Sequence, residues 1–238
     1  MPRIYLFTFS ILFFSFISCE KESKKELPKK EVIPVVKKVE AAKKEIKQKE
    51  IIKKDWDSIT PNNVVAFLTA YGKANKETVV QIKTKYGNIK LRLYNDTPLH
   101  RANFIFLAKA GYFDTTIFYR VLEDFVIQGG NSENIEMMKF RRKYKNYRLP
   151  SEFKPNRTHK FGALAAARRW QNNPDKKSNP FEFYIVQQQG GAHHLDNEHT
   201  VFGEVISGYS TITKISKLET STDEWPYEDV YMKVEVLN

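Results

Sequence analysis

Arg120 and Gln128 are the residues best placed for chemistry. They sit in the run Phe118-Tyr119-Arg120-Val121-Leu122-Glu123-Asp124-Phe125-Val126-Ile127-Gln128-Gly129-Gly130. The apolar alternation predicts a strand with one face buried, so Arg120 projects from a sheet beside apolar neighbours instead of trailing into solvent. Gly129 and Gly130 are read as the end of that strand, where the backbone needs positive φ or close approach. A guanidinium held in this way is a rigid, permanently charged fork of donors. Other chemistries find less support. No Ser-His-Asp or paired-carboxylate signature stands out, which argues against a hydrolase. His193, His194, Asp196, Glu198 and His199 cluster in sequence but lack a helical His-x-x-x-His spacing and a second set of ligands. Neither a metal nor a cofactor is expected.

The run from Phe118 to Gly130 resembles the central signature of the cyclophilin-type peptidyl-prolyl isomerases, with Tyr119 where the family usually has His and Glu123-Asp124 where it has Pro-Gly. Further segments resemble the same family. Thr97-Pro98-Leu99-His100 onward through Gly111-Tyr112-Phe113-Asp114 is similar to its first helix and following turn, with His100 read as a solvated helix residue. Phe161-Gly162-Ala163-Leu164-Ala165-Ala166-Ala167-Arg168 is similar to a strand lining its groove. Phe181-Glu182-Phe183-Tyr184-Ile185-Val186 matches a Ser-Gln-Phe-Phe-Ile strand, with Glu182 in place of glutamine. Leu195-Asp196-Asn197-Glu198-His199-Thr200-Val201-Phe202-Gly203 matches a Leu-Asp-Gly-x-His-x-Val-Phe-Gly segment, and His194 stands where tryptophan is common.

The resemblance implies a mainly β fold: a closed eight-stranded antiparallel barrel capped by two helices, here with an extra N-terminal helix. It also implies catalysis of X-Pro rotation, which faces a barrier of about 18–20 kcal/mol because twisting removes amide resonance. The prolyl nitrogen gains hydrogen-bonding power as it pyramidalises, so a donor there favours the twisted form over the planar one. By resemblance Arg120 is that donor and Gln128 helps set it. Phe125, Val126, Phe183, Tyr184 and Leu195 form the proline pocket, His199 completes the rim, and His194, a substrate-binding position, removes apolar wall by replacing tryptophan. Ala167 and Arg168 line the substrate groove. Glu182, a carboxylate expected near Arg120, would pair with it. The alternative is a proline-peptide binding module or chaperone on the same fold, with turnover silenced.

The elements that position these residues follow from pattern. Residues 79–85 and 89–94 alternate around Tyr86-Gly87-Asn88, a hairpin. Thr97-Pro98 opens a helix that Gly111 stops, and an alternating strand over 230–236 pairs with the first. A further helix is expected within 56–76, with Thr60 as cap and Pro61 in its first turn. Residues 131–160, rich in Arg, Lys and Tyr, read as a long surface insertion held by its aromatics.

Ahead of this domain (77–238) the chain changes character. Residues 1–18 carry Arg3 and a short apolar run, the architecture of a secretory signal. Cys19, the only cysteine, closes Phe16-Ile17-Ser18-Cys19, which resembles a bacterial lipoprotein box. Residues 19–55 form a tether; 20–54 hold thirteen lysines against seven acids and lack glycine and aromatics, so they cannot build a core. Most of the net charge of +11 lies there, leaving the domain only mildly basic, and no nucleic acid partner is expected. The expected protein is a monomer in the bacterial cell envelope, lipid-anchored through Cys19, that acts on proline-containing unfolded or exported polypeptides.

Overall fold

The computed structural model describes residues 59–144 and 147–237. The signal segment, the tether, Cys19 and the first residues of the N-terminal extension lie outside them.

Eight strands pair antiparallel in the order β3-β4-β6-β5-β7-β2-β1-β8. They are β1 (Val79–Thr84), β2 (Gly87–Leu93), β3 (Ile117–Val121), β4 (Val126–Asn131), β5 (Ala163–Ala166), β6 (Phe183–Val186), β7 (Val201–Ser207) and β8 (Lys233–Leu237). β1 and β2 form the expected hairpin, and β8 pairs with β1. The sheet curls into a half-barrel. Its outer strands, β3 and β8, share no ladder; their seam is an isolated bridge between Ile117 and Tyr231. Two backbone bonds flank the bridge, Phe118 N–H to Val230 O at 3.0 Å and Met232 N–H to Thr116 O at 3.2 Å. Gly129 and Gly130 do not end β4 as expected but lie within it. Gly130 has φ 93°, and a Cβ there would sit 2.1 Å from the carbonyl oxygen of Phe181, so only glycine fits.

Four α-helices lie among the described residues: α1 (Val64–Ala74), α2 (Pro98–Lys109), α3 (Ile135–Lys143) and α4 (Tyr209–Ser216). α1 starts later than its sequence suggests. The Asn63 side chain accepts the Thr60 N–H at 2.6 Å, which makes 60–63 a turn. It docks on α2 through Leu68 and through Phe67 and Tyr71, which meet Phe106 edge-on. Arg101 fastens the same contact by donating to the carbonyls of Gly72 and Asn75.

α2 carries Pro98 in its first turn but takes its cap from afar. The Glu152 carboxylate accepts the N–H groups of Leu99 and His100 at 3.1 and 2.9 Å and meets His100 Nδ1 at 2.6 Å. A carboxylate is favoured there by the unpaired N–H groups and the helix dipole. His100 is therefore buried, with Nε2 against Ser178 Oγ, and not the solvated residue its helical context suggested. The insertion that supplies Glu152 is not a plain loop either. It contains α3, capped by the Asn134 side chain on Glu136 N–H, and Tyr147, whose buried hydroxyl donates to Asn103.

The large core joins Leu68, Ile82, Leu91, Phe106, Phe183 and Ile212. Each such fully buried side chain contributes about 1.5–3 kcal/mol. A smaller apolar cluster of Val126, Ala165, Tyr184, Val186 and Leu195 lies apart from it and underlies the groove.

Candidate active site

Strand register decides which side chains share a face. Residues directly opposite across neighbouring strands point the same way. The row Arg120, Gln128, Tyr184, Ala165 runs across β3, β4, β6 and β5 on the groove side. The adjacent row Phe118, Gly129, Phe183, Ala166 faces the core, where Phe183 meets Phe104, Phe113 and Phe118 edge-on. Gly129 makes room for them, since a Cβ there would meet Met232, Phe118 and Phe183 within 3.3 Å.

A cavity of about 330 Å3 opens over the first row, lined by Arg120, Phe125, Val126, Gln128, Ala167, Arg168, Trp170, Tyr184, His194, Leu195 and His199. Ten of the twelve residues expected at the site are thus brought together. The two exceptions are adjacent in sequence. Phe183 is 2% exposed and belongs to the core, because the period of two places Tyr184, not its neighbour, on the groove face.

Glu182 does not pair with Arg120. Its carboxylate binds Arg141 of α3 at 2.7 Å and accepts the Tyr119 hydroxyl at 3.1 Å. The carboxylate on Arg120 is instead Glu224, whose Oε2 lies 2.5 Å from Nε.

A break in register explains how Tyr119 reaches Glu182. Between Phe118 and Arg120 the β3–β4 pairing shifts: Phe118 faces Gly129 and Arg120 faces Gln128, which leaves Tyr119 as an extra residue between them. Such bulges re-aim side chains. The Gln128 amide donates to the Tyr119 hydroxyl, which donates in turn to Glu182, and Arg141 closes the chain on Glu182 and on the Gly130 carbonyl. Burial and the Glu182 carboxylate push the Tyr119 hydroxyl far above its ordinary pKa, so it remains a donor.

The apolar wall has its own polar backing. Tyr184 meets His159 Nε2 at 2.8 Å, and His159 Nδ1 meets Asp196 at 2.8 Å. Burial works to raise the Asp196 pKa, but the His159 backbone N–H and the His159 and His193 rings outweigh it and hold the carboxyl low. His194 stacks on Phe125 with ring centroids 5.6 Å apart. His199 Nδ1 donates to the Ala166 carbonyl at 3.0 Å. Burial lowers its pKa to about 4, so the ring is neutral near pH 7 and presents an unprotonated Nε2.

The Arg168 guanidinium lies against Glu198, Nη2 to Oε2 at 2.5 Å, and over the Trp170 ring at 4.1 Å. The carboxylates of the sequence cluster are thereby engaged, Asp196 by two histidines and Glu198 by Arg168 and Lys176. Among the described residues no group of three or more His, Cys, Asp or Glu is placed to hold a metal ion.

Sequence reasoning missed three contributors. Trp170 had a signal, an aromatic directly after Arg168 and Arg169 at the end of a groove strand. His159 and Glu224 had none, because their partners are brought in only by the fold.

The model of the family described as cyclophilin type peptidyl-prolyl cis-trans isomerase/CLD matches residues 79–236. The chain is 33% identical over 157 residues to a peptidyl-prolyl cis-trans isomerase of Acinetobacter baylyi, covering 65% of this chain and 79% of that one. It is 34% identical over 162 residues to the peptidyl-prolyl cis-trans isomerase cypE of Dictyostelium discoideum, covering 65% and 94%. A peptidyl-prolyl cis-trans isomerase-like 2 protein of Rhizopus delemar is 34% identical over 172 residues, which span 68% of this chain but only 29% of that protein. The fold is shared with a crystal structure of a Cryptosporidium parvum cyclophilin type peptidyl-prolyl cis-trans isomerase, at TM-score 0.58 and 23% identity, covering 68% and 98% of the two chains. That protein has also been crystallised in the presence of the dipeptide Ala-Pro, a structure with TM-score 0.56 and 22% identity, covering 67% and 99%. The chain belongs to the cyclophilin-type peptidyl-prolyl cis-trans isomerases.

Proposed function

We propose that the 330 Å3 cavity is the isomerase site and that Arg120 is its catalytic donor. The observation that carries this reading is that Arg120 lines the same cavity as the apolar and aromatic groups Phe125, Val126, Tyr184 and Leu195, while the cavity's other guanidinium, Arg168, is engaged by Glu198. A proline ring fits among Phe125, Val126, Tyr184 and Leu195, where water is displaced. The rest of the peptide lies across Gln128, Ala167 and Arg168, with His194 and His199 at the rim. With Nε held by Glu224, the remaining N–H groups of Arg120 are free to donate to the prolyl nitrogen. That nitrogen accepts well only when the amide is twisted, so the interaction stabilises the transition state selectively. No covalent step, metal or cofactor enters. The Ala-Pro dipeptide used with the Cryptosporidium protein is in keeping with a proline-peptide ligand here.

The clients are exported polypeptides, and the enzyme is a monomer held at the bacterial envelope by acylation of Cys19, with 1–18 removed and 19–55 as spacer. This rests on the sequence of the N-terminal segment; among the described residues no helix is long and apolar enough to cross a membrane. Cys19→Ser should release the protein from the membrane fraction, and retention would remove the anchor.

A second reading, a proline-peptide binding module with little turnover, is favoured by the Glu224 carboxylate on Arg120. Isomerisation of an Ala-Pro peptide by wild type and Arg120→Ala, beside binding of the same peptide, separates the two. The isomerase reading requires turnover that falls about 10²–10³-fold in the variant; binding without turnover in wild type selects the module.

A further inference from the structure

Tyr184 carries an oxygen that an apolar wall does not need. Its ring lines the 330 Å3 cavity, and its hydroxyl meets Nε2 of His159 at 2.8 Å. His159 lies ahead of β5, is fully buried, and stacks on the Tyr184 ring with centroids 5.9 Å apart. One oxygen of Asp196 accepts the His159 backbone N–H at 2.7 Å and meets Nδ1 at 2.8 Å, while the other meets His193 Nδ1 at 2.9 Å. The His159 carbonyl accepts the Ala192 N–H at 2.7 Å. The buried imidazole is thus held at both nitrogens and at its backbone.

The hydrogens follow from the partners. The Asp196 carboxyl, held low by these contacts, can only accept, so Nδ1 of His159 carries a hydrogen. A neutral imidazole has one, which leaves Nε2 bare to accept the Tyr184 O–H. Burial pushes the Tyr184 pKa well above its ordinary value, so the phenol keeps that hydrogen. Burial also lowers the His159 pKa, against the pull of Asp196. The charged and titratable groups facing the two rings are Asp196, His193 and His194 from the segment after β6, His199 edge-on to both, and Arg168 beyond the end of β5. A proton on Nε2 would replace the acceptor with a donor. The phenol O–H would then be left without an acceptor beside the apolar cluster of Val126, Val186 and Leu195, a cost that displaces the ring.

We propose that His159 is a positioning residue of the isomerase site: from its Nδ1–H tautomer, set by Asp196, it holds the Tyr184 hydroxyl and so fixes the wall against which the proline ring packs. His159 lines no part of the cavity and acts through Tyr184. The proposal rests on reading the 330 Å3 cavity as the proline site. The placement of that wall matters because turnover depends on how the bound amide is aligned with its donor.

The test is kcat/KM for an Ala-Pro peptide in wild type, Tyr184→Phe, His159→Asn and the double variant. Asparagine keeps a donor for Asp196 and withdraws the acceptor from Tyr184. At neutral pH His159→Asn should lower kcat/KM about three- to tenfold relative to wild type, but less than about twofold when Tyr184 is already Phe. Equal falls in both backgrounds overturn the proposal, since His159 then acts without the hydroxyl. The pH profile gives a second readout. Dividing the wild-type profile by that of Tyr184→Phe cancels the groups common to both, His199 included. The quotient should be level above about pH 7 and fall about threefold or more toward pH 4.5, across the range in which far-UV circular dichroism is unchanged. A level quotient overturns the proposal, and so does a fall that persists in the His159→Asn background. If His159→Asn fails to fold, the wild-type quotient decides together with nitrogen NMR of the labelled ring. That ring should be neutral at pH 7 with its hydrogen on Nδ1, and a hydrogen on Nε2 overturns the assignment. Failure of the proline-site reading looks different: wild type would show no turnover, or Arg120→Ala would keep it, whatever the quotient does.

Discussion

The Nε of Arg120 stands 2.5 Å from a carboxylate oxygen of Glu224, 104 positions further along the chain. Glu224 holds its place by its backbone as well. It adopts φ 63°, and its carbonyl accepts the Val121 N–H at 2.9 Å. The pairing engages Nε, and among the described residues the guanidinium, which lines the cavity, makes no other hydrogen bond. Glu224→Gln keeps a hydrogen-bond acceptor but loses the charge, and should lower kcat/KM about three- to tenfold; Glu224→Ala should cost more. A rise in kcat/KM would instead mean that Glu224 restrains the arginine, as the binding-module reading requires.

The chain from Gln128 through Tyr119 to Glu182 and Arg141 ties the groove to α3. Tyr119→Phe removes one oxygen and leaves the Gln128 amide and the Glu182 carboxylate each short of a partner. It should lower stability by about 1–3 kcal/mol, measured by urea unfolding, and reduce kcat/KM severalfold with little change in far-UV circular dichroism.

Glu182 was expected to pair with Arg120. It binds Arg141 and Tyr119 instead, so the first effect of Glu182→Gln falls on stability. The Glu182 and Arg141 side chains are 14% and 25% exposed, and removing one charge strands the other against Tyr112 and Gly130. Glu182→Gln should cost about 1–3 kcal/mol, below the range for a fully buried pair. The readout is a lower urea midpoint with unchanged slope; an unchanged midpoint would show that the pair contributes nothing.

How far the sequence reached depends on which contacts are local. The projection of Arg120 from a sheet was legible in strand alternation, whereas Gln128 and Tyr184 came with the family resemblance, and the strand register then brings all three into one row. Phe183 was placed in the pocket by the same resemblance, and alternation corrects it, since two aromatics in a row cannot both face the groove. The Tyr119 bulge left no trace, because an extra residue in one strand is a property of pairing, not of composition. His100 and Glu152 illustrate the limit most plainly. A histidine in the first turn of a helix reads as solvated until a carboxylate 52 residues away caps that turn. The insertion looked like decoration, yet it supplies Glu152 and Arg141, and so positions the first helix of the domain and the groove network. The lipoprotein segment is the reverse case, legible in sequence and lying outside the described residues.

Trp170 lines the 330 Å3 cavity with its ring under Arg168 and edge-on to His199, the centroids 5.3 Å apart. It is largely exposed, so Trp170→Ala should barely change the urea midpoint. It should raise KM severalfold while leaving kcat within about twofold, because a wall that holds ground and transition states alike contributes uniform binding. A fall in kcat with KM unchanged would place the indole in the chemical step.

Stability should fall as acid is added, and two histidines give the sign. His199 has its pKa lowered from 6.5 to about 4 by burial, and His159, fully buried, is lowered in the same direction and for the same first cause. In the unfolded chain both take up a proton near pH 6.5, while in the folded protein they resist it. Between those values the unfolded state binds more protons, so folding free energy declines as pH drops. It is fully retained above about pH 7 and is lost progressively from 6.5 toward 4. His199 alone accounts for a loss of about 3 kcal/mol across that window. His199→Gln should flatten the urea-midpoint profile between pH 6.5 and 4.5 relative to wild type. An unaltered slope would mean that the ring titrates normally, and with it would go the case for a neutral His199 at the rim of the cavity.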